Sequence, residues 1–117
     1  MAKNFIQRGW TVSVPAPRDV LSGELVVVGV LAGVAQHDAA SGTPVEINTE
    51  GVFALKKTSA QAWTVGAAIY ATPSTGICGT AATAGNLLVG VAIEAAANPS
   101  ETGVVRLNGS APAAVAA

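Results

Sequence analysis

The sequence predicts a small all-β protein, a single-domain β-sandwich or partly open β-barrel with short strands and little helix. Its 117 residues include 13 glycines and 6 prolines. These turn residues recur about every ten positions, with β-branched residues between them, which is typical of many short strands. The alanine-rich pieces at 39–40 and 95–97 are too short to carry a helical apolar period. A chain of this length corresponds to one domain.

The first half of the chain predicts three or four strands. The stretch "WTVSV" at 10–14 alternates apolar and polar residues, as a strand with one wet face does. A continuous apolar strand follows at 24–28 and is broken by Gly29. Residues 30–35 form either a second strand or the same strand after a bulge. A loop at 37–44 then leads into the alternating "VEI".

The second half of the chain also predicts short strands separated by turns. "EGVFALKK" at 50–57 predicts a half-buried strand that includes Val52 and Leu55. Residues 67–83 predict a hairpin whose turn is "TPSTG". A further strand begins at Asn86, and the last covers 103–109.

A weak internal echo links the two halves. "GVAQHDAASGTPVEI" at 33–47 resembles "GVAIEAAANPSETGVVRL" at 90–107, with Glu46 in the first copy matched to Arg106 in the second. Two similar strand-loop-strand pieces in a small β protein predict pseudo-symmetric hairpins that pack together.

Three regions are expected along the chain. Residues 1–14 form an N-terminal arm or first strand, 15–109 the β domain, and 110–117 a low-complexity tail.

Charge and composition exclude several classes of function. Half of the residues are hydrophobic and only 11% are charged, which favours self-association or a permanent partner. The six basic residues are scattered, so the chain offers no basic face for nucleic acid. The longest apolar run, 25–35, is eleven residues, whereas a membrane helix needs about 20. No signal peptide is expected, and a single cysteine excludes an intrachain disulfide.

The glycines of "GELVVVGVLAGVAQHD" do not form a nucleotide-binding loop. Gly29 and Gly33 are four apart with no helix after them, and no lysine lies between Lys3 and Lys56. We interpret the stretch as core strand in which the glycines permit a bend or a close backbone approach. No catalytic, cofactor-binding or metal-binding residues are predicted.

His37 is the one residue that invites an enzymatic hypothesis. A Ser-His-Asp device would need Asp19 or another carboxylate nearby and an activated serine, and no Gly-x-Ser-x-Gly elbow is present. One histidine, one cysteine and scattered acids supply no spaced metal cluster. We expect His37 in a loop whose turn Asp38 begins through its own backbone hydrogen bonds. A small hydrolase with His37 in a cleft is the enzymatic alternative.

The remaining reactive side chains have simple structural interpretations. Cys78 is expected to be a buried, inert thiol. Glu46 and Glu50 are the nearest approach to paired catalytic carboxylates, but we expect them at solvated strand ends or in loops. Lys56 and Lys57 are expected to be turn or edge-protecting charges.

Aromatic residues are few, so their positions are informative. Trp63 and Tyr70 are predicted core anchors. Phe5, Ile6 and Trp10 lie so near the start that nothing earlier can cover them. They either fold back as a first strand or form an apolar arm that contacts a partner protein or a neighbouring subunit.

Several segments, in order, resemble a known phage family. They are "MAKNFIQRGWTVSV", "SGELVVVGVLAGVAQHDAASGTPVEINTEGVFAL", "AWTVGAAIY" and "LLVGVAIEAA" followed by "ETGVVRLNG". Together they are similar to the small capsid decoration, or cement, proteins of tailed phages and prophages. Some relatives carry a RecA-like recombinase label, which does not suit this chain because it has no phosphate loop and is too short for that fold.

The resemblance implies a homotrimeric β domain on the outer surface of the capsid, made in the host bacterial cytoplasm. Its partners would be the major capsid protein and itself, and it would strengthen the expanded head across the seams between capsomers. Such a protein is not an enzyme and needs no cofactor. The alternative is another virion structural module, such as a head fibre base or a tail or baseplate β domain.

Overall fold

A computed structural model describes residues 6, 10–82, 84–108 and 114–115. These residues form ten strands and no helix. The strands are β1 (Thr11–Pro15), β2 (Leu25–Val28), β3 (Leu31–Ala35), β4 (Pro44–Asn48), β5 (Glu50–Lys56), β6 (Ala68–Ala71), β7 (Cys78–Gly79), β8 (Leu87–Ala92), β9 (Thr102–Asn108) and β10 (Ala114–Val115).

The strands form two open, curled sheets, which confirms the predicted all-β class. The first sheet has the order β1-β4-β3-β2, and the second has the order β5-β9-β8-β6-β7 with β10 beside β8. All pairings between named strands are antiparallel. Residues 114–115, from the predicted tail, supply β10. The rest of that tail lies outside the described residues.

The two sheets repeat one topology. The neighbour order β1-β4-β3-β2 in the first sheet matches β5-β9-β8-β6 in the second. A backbone bridge outside the strands joins Val20 to Ala39 in the first half and Trp63 to Ala96 in the second. Val20 precedes the start of β2 by five residues, as Trp63 precedes the start of β6. We call residues 11–48 the first unit and 50–108 the second unit.

Strand register corrects the sequence echo in one detail. Val34 lies opposite Asn48 in the first unit, and Val91 lies opposite Arg106 in the second. Arg106 therefore corresponds to Asn48, and matching it to Glu46 was wrong by two residues. The error arose because "VEI" and "VRL" look alike locally, whereas only the strand register shows which residues correspond.

Each unit curls around buried side chains of its own. The cluster of the first unit consists of Ala16, Val20, Val26, Ala35, Val45 and Ile47. A larger cluster fills the second unit and also takes in Leu25, Val27 and Val34 from the outer face of the first sheet. Alternate residues of β2 thus serve two cores, which explains why this strand is a continuous apolar run.

The units differ in one connection. Gly29 and Val30 alone join β2 to β3, and the positive φ of Gly29 (60°) suits a two-residue hairpin turn. The sequence allowed either a bulge or a second strand at this point, and the structure shows a second strand. In the second unit, the connection from β6 to β8 instead carries β7 and a longer segment. This segment packs on the outer face of the first sheet, where Gly76 sits so close to the Leu25 carbonyl that a Cβ would clash.

The structure also corrects two burial predictions. Val52 is 52% exposed, whereas Leu55 is 1% exposed. The two residues are three apart and so point to opposite faces of β5. Lys57, expected at the surface, is buried, with 5% of its side chain and backbone exposed. Trp63 is buried as predicted, and Tyr70 is half-buried.

Candidate contact surface

The predicted contact residues lie at the start of the first strand. Phe5 lies outside the described residues. Ile6 is 90% exposed and Trp10 is 57% exposed. The Trp10 carbonyl accepts hydrogen bonds from the Thr49 amide (2.7 Å) and hydroxyl (3.1 Å). These bonds fix the backbone of Trp10 against Thr49, the residue that joins the two units, while more than half of Trp10 remains open to solvent.

A groove of about 440 Å³ runs beside Trp10, where the two sheets meet. It is lined by Trp10, Thr11, Asn48, Glu50, Gly51, Arg106 and Leu107. The fold therefore places Trp10 and Arg106 in the lining of one groove, which the sequence did not predict. Tryptophan and arginine are the residue types that most often dominate the energy of protein interfaces.

An apolar surface adjoins this groove on the outer face of the second sheet. Val52 lies opposite Arg106, which lies opposite Val91, so the three side chains form one row across β5, β9 and β8. Val91 and Ile93 are each 37% exposed. Among the described residues, the Arg106 side chain has no hydrogen-bond or ion-pair partner. We call Val52, Val91, Ile93 and Arg106 the open face.

The sequence contained a signal for this face that was not used. In β5, Phe53 and Leu55 contribute to the core, so Val52 and Ala54 must point outward. Placing Val52 and Leu55 together in a half-buried strand ignored this alternation. The pairing with Arg106 depends on the register between β5 and β9, which no local pattern fixes.

The His37 ring contacts backbone groups of its own loop and of β4. The Glu46 amide donates to His37 Nε2 (3.2 Å), and His37 Nδ1 lies 3.0 Å from the Asp38 carbonyl. A neutral ring with its proton on Nδ1 satisfies both contacts. Both ring nitrogens therefore hold backbone groups, and the residue pins the exposed loop between β3 and β4.

Asp19 and Asp38 tie together two facing loops of the first unit. Asp19 Oδ1 accepts the Ser41 amide, and Asp38 Oδ1 accepts the Ser22 amide, each at 2.8 Å. The Val20 to Ala39 bridge lies between these two bonds. Asp38 thus holds the opposite loop, and the prediction that it caps its own turn was wrong.

The other candidate reactive groups are also structural. Burial raises the pKa of the Cys78 thiol in β7 to about 12, so the nucleophilic thiolate is suppressed. Glu46 lies in β4 of the first sheet and Glu50 begins β5 of the second. Within the described chain, no group of three or more His, Cys, Asp and Glu side chains is placed to hold a metal ion.

Charged side chains join the two units along a second groove, of about 340 Å³. Glu24 forms ion pairs with Arg18 and Lys56, each at 3.2 Å. Arg18 also donates to the carbonyls of Leu25 (3.0 Å) and Thr75 (3.1 Å), which belong to different units. The Leu21 amide donates to Glu24 and, with the two cations, lowers the pKa of that carboxyl despite its partial burial. The groups here are paired with each other and therefore hold the units together.

Lys57 is the buried cation of the second unit. Its Nζ, with three N–H donors, lies within hydrogen-bond distance of four backbone carbonyls, those of Thr58 (2.9 Å), Ser59 (3.4 Å), Ala97 (3.4 Å) and Ser100 (3.3 Å). The ammonium also lies 5.8 Å from the ring centroid of Trp63. Lys57 therefore closes the loops at one end of the second unit and is not free for a partner.

Comparison with known proteins supplies the context for this surface. A sequence profile described as phage cement protein matches residues 6–107, which span both units. Comparison with curated proteins gives no match. The described residues contain no helix that could span a membrane. Cement proteins are structural proteins associated with the phage capsid. Because the profile matches nearly the whole chain, the chain belongs to the phage cement protein family.

Proposed function

We propose that this chain is a capsid decoration protein that binds the outer surface of the expanded phage head across the seams between capsomers. Its ligand is the major capsid protein, and it binds as a homotrimer without a catalytic role. Binding to the expanded shell but not to the unexpanded one stabilises the expanded state by the difference in binding free energy. That difference opposes the strain produced by packaged DNA.

Trimerisation would make weak individual contacts sufficient. Once one subunit is bound, the linked copies present their contacts at a high effective concentration. Each contact can then be no larger than a standard patch of about 800 Å² per partner. The formal net charge of −1 fits contact with protein at the exterior better than contact with packaged DNA.

The observation that carries this proposal is the exposure of Trp10 on a fixed backbone. A 57% exposed tryptophan whose carbonyl accepts two hydrogen bonds is held ready for contact without ordering its main chain. A residue whose backbone is already ordered loses less conformational entropy on binding than one in a mobile segment. Ile6, 90% exposed, is a second apolar side chain near the start of the chain that a partner could cover.

Binding to purified expanded heads that lack the protein tests this role. We expect Trp10→Ala to weaken binding about 30-fold or more, because an aromatic hot spot contributes at least about 2 kcal/mol. Leu21→Ala is the matched control, since Leu21 is 60% exposed but lies away from the Trp10 groove. Equal binding by both variants and the original chain would remove Trp10 from the contact.

The amount of the protein in purified virions tests the role as a whole. Quantitative mass spectrometry against the major capsid protein should give a simple ratio of the two chains. A few copies per particle would instead indicate a tail or vertex component, and absence from virions would contradict the proposal.

A further inference from the structure

The two units bury their outer faces differently, although they share one topology. Leu25 pairs with Val34 on the outer face of the first unit, and the corresponding pair in the second unit is Ala68 with Val91. Leu25 and Val34 are 2% and 3% exposed. Val91 is 37% exposed, and Ala68 is also exposed. The same sheet surface is therefore core in one unit and open in the other.

The cause of this difference is the length of one connection. The segment between β6 and β8 supplies Cys78 and Gly76, which pack against the outer face of the first sheet. The first unit has only the two-residue turn at Gly29 in the corresponding place. It has no segment that can cover the second sheet in return.

The open face has the composition of a subunit interface. Its members Val52, Val91 and Ile93 are aliphatic, and Arg106 is the charged residue among them. Strand β5, at the edge of the sheet, has no described strand on its outer side and contains no proline. An uncovered apolar sheet face beside an unpaired edge is typical of a surface that a partner covers.

We propose that a second copy of this chain covers the open face. The inference rests on the homotrimer of the proposed function and identifies its contact surface. The equivalent face of the first unit packs against the other sheet of the same chain. A sheet from a second copy is therefore a suitable cover for the open face.

The charge of Arg106 indicates the symmetry of this contact. In a two-fold contact the open faces would meet each other, and the unpaired arginines near the centre of the rows would repel. The face should therefore meet a different surface of the second copy, one that offers a carboxylate to Arg106. Contacts between unlike surfaces form a ring when the rotation between neighbours closes, and a trimer is such a ring.

Sedimentation equilibrium of the purified 117-residue chain tests the proposal, because it measures the molar mass in solution. We expect a trimer for the original chain and at least a tenfold weaker association for Val52→Asp with Val91→Asp, and for Arg106→Glu. Val65→Asp is the matched control, because Val65 is 69% exposed in a turn of the same unit. A monomeric original chain, or a double variant with unchanged mass, would overturn the proposal.

Hydrogen exchange on the unmodified chain keeps the proposal testable if the variants fail to fold. Amides of β5 and β8 should exchange more slowly as protein concentration rises through the association range, and amides of the β3–β4 loop should not. Exchange in β5 and β8 that is independent of concentration would overturn it.

Head binding, measured separately, distinguishes this inference from the proposed function. An original chain that binds heads as a monomer overturns the self-contact but leaves the capsid role. A trimer that the Asp variants dissociate, yet which does not bind heads, supports the self-contact and contradicts the capsid role. A monomeric original chain whose head binding is lost in the Asp variants would assign the open face to the capsid protein instead.

Discussion

The indole of Trp63 occupies the space that a side chain at position 103 would need. A Cβ built on Gly103 would come well within 3.0 Å of the Trp63 ring. The corresponding pair in the first unit is Val20 and Val45, both buried in its cluster. The two units therefore fill the same site with different pairs. The first unit uses two valines, and the second combines a large tryptophan with a glycine that has no side chain.

This relationship predicts that Gly103→Ala destabilises the protein. Overpacking a well-filled core usually costs about 1–3 kcal/mol. Gly103 lies in a strand and has no positive φ, so the backbone itself would accept alanine. Urea unfolding followed by fluorescence of the tryptophans should show the lower midpoint.

A double substitution provides the control. Gly103→Val alone should be worse than Gly103→Ala, and adding Trp63→Val should recover part of the loss by reproducing the Val20 and Val45 pair. Independent, additive effects of the two valines would show that Trp63 and Gly103 are not coupled in this way.

The sequence predicted the strands well because local chemistry decides them. Gly29 ends β2 where the apolar run breaks, and "TPSTG" forms the turn between β6 and β7. The internal echo was also sound, since both copies follow the same strand order. These features depend on neighbours within a few residues, which a single sequence displays directly.

The sequence could not predict features that depend on which strands lie side by side. Trp10 and Arg106 are brought together only when the two sheets meet. Lys57 looks like its exposed neighbour Lys56, and its burial depends on carbonyls up to 43 residues away. Long-range register and loop placement fix these positions, and no local period records them.

The adjacent lysines give a prediction with a built-in control. Lys57→Ala should lower the free energy of unfolding by about 2–4 kcal/mol, because it removes a buried charged donor from its partly buried contacts with backbone carbonyls. Lys56→Ala should cost less than about 1 kcal/mol, because its ion pair with Glu24 is largely solvent-exposed on the lysine side. Denaturant unfolding of the two variants side by side measures both.

Equal stabilities of the Lys56 and Lys57 variants would contradict the structural role of Lys57. Lys57→Arg shows whether a loss of stability in Lys57→Ala comes from the charge alone. Arginine keeps the charge, but its planar guanidinium does not fit the same compact set of acceptors. This variant should remain clearly less stable than the original chain.

Glu24 should make the free energy of unfolding depend on pH. Its pKa is lowered, first by the Leu21 amide and then by Lys56 and Arg18. A carboxyl with a lowered folded-state pKa stabilises the protein fully above its unfolded value of 4.5. This contribution is lost as the pH falls through the folded-state value. Thermal unfolding between about pH 6 and about pH 3 should show the decline.

Glu24→Gln isolates this contribution from the other carboxylates. The variant should be less stable than the original chain near neutral pH and should approach it as the pH falls below 4.5. A constant difference across the whole range would mean that the charge of Glu24 does not matter to folding.

The Cys78 thiol should be unreactive while the protein is folded. Its residue is fully buried and its pKa is raised to about 12 by loss of hydration, so almost no thiolate exists near neutral pH. A chromogenic disulfide reagent at about pH 8 should label folded protein at least about a hundredfold more slowly than protein in denaturant. Because β7 lies in the segment that packs against the first sheet, labelling also reports whether that segment stays in place. Fast labelling without denaturant would show that the segment opens, and with it the contact that distinguishes the two units.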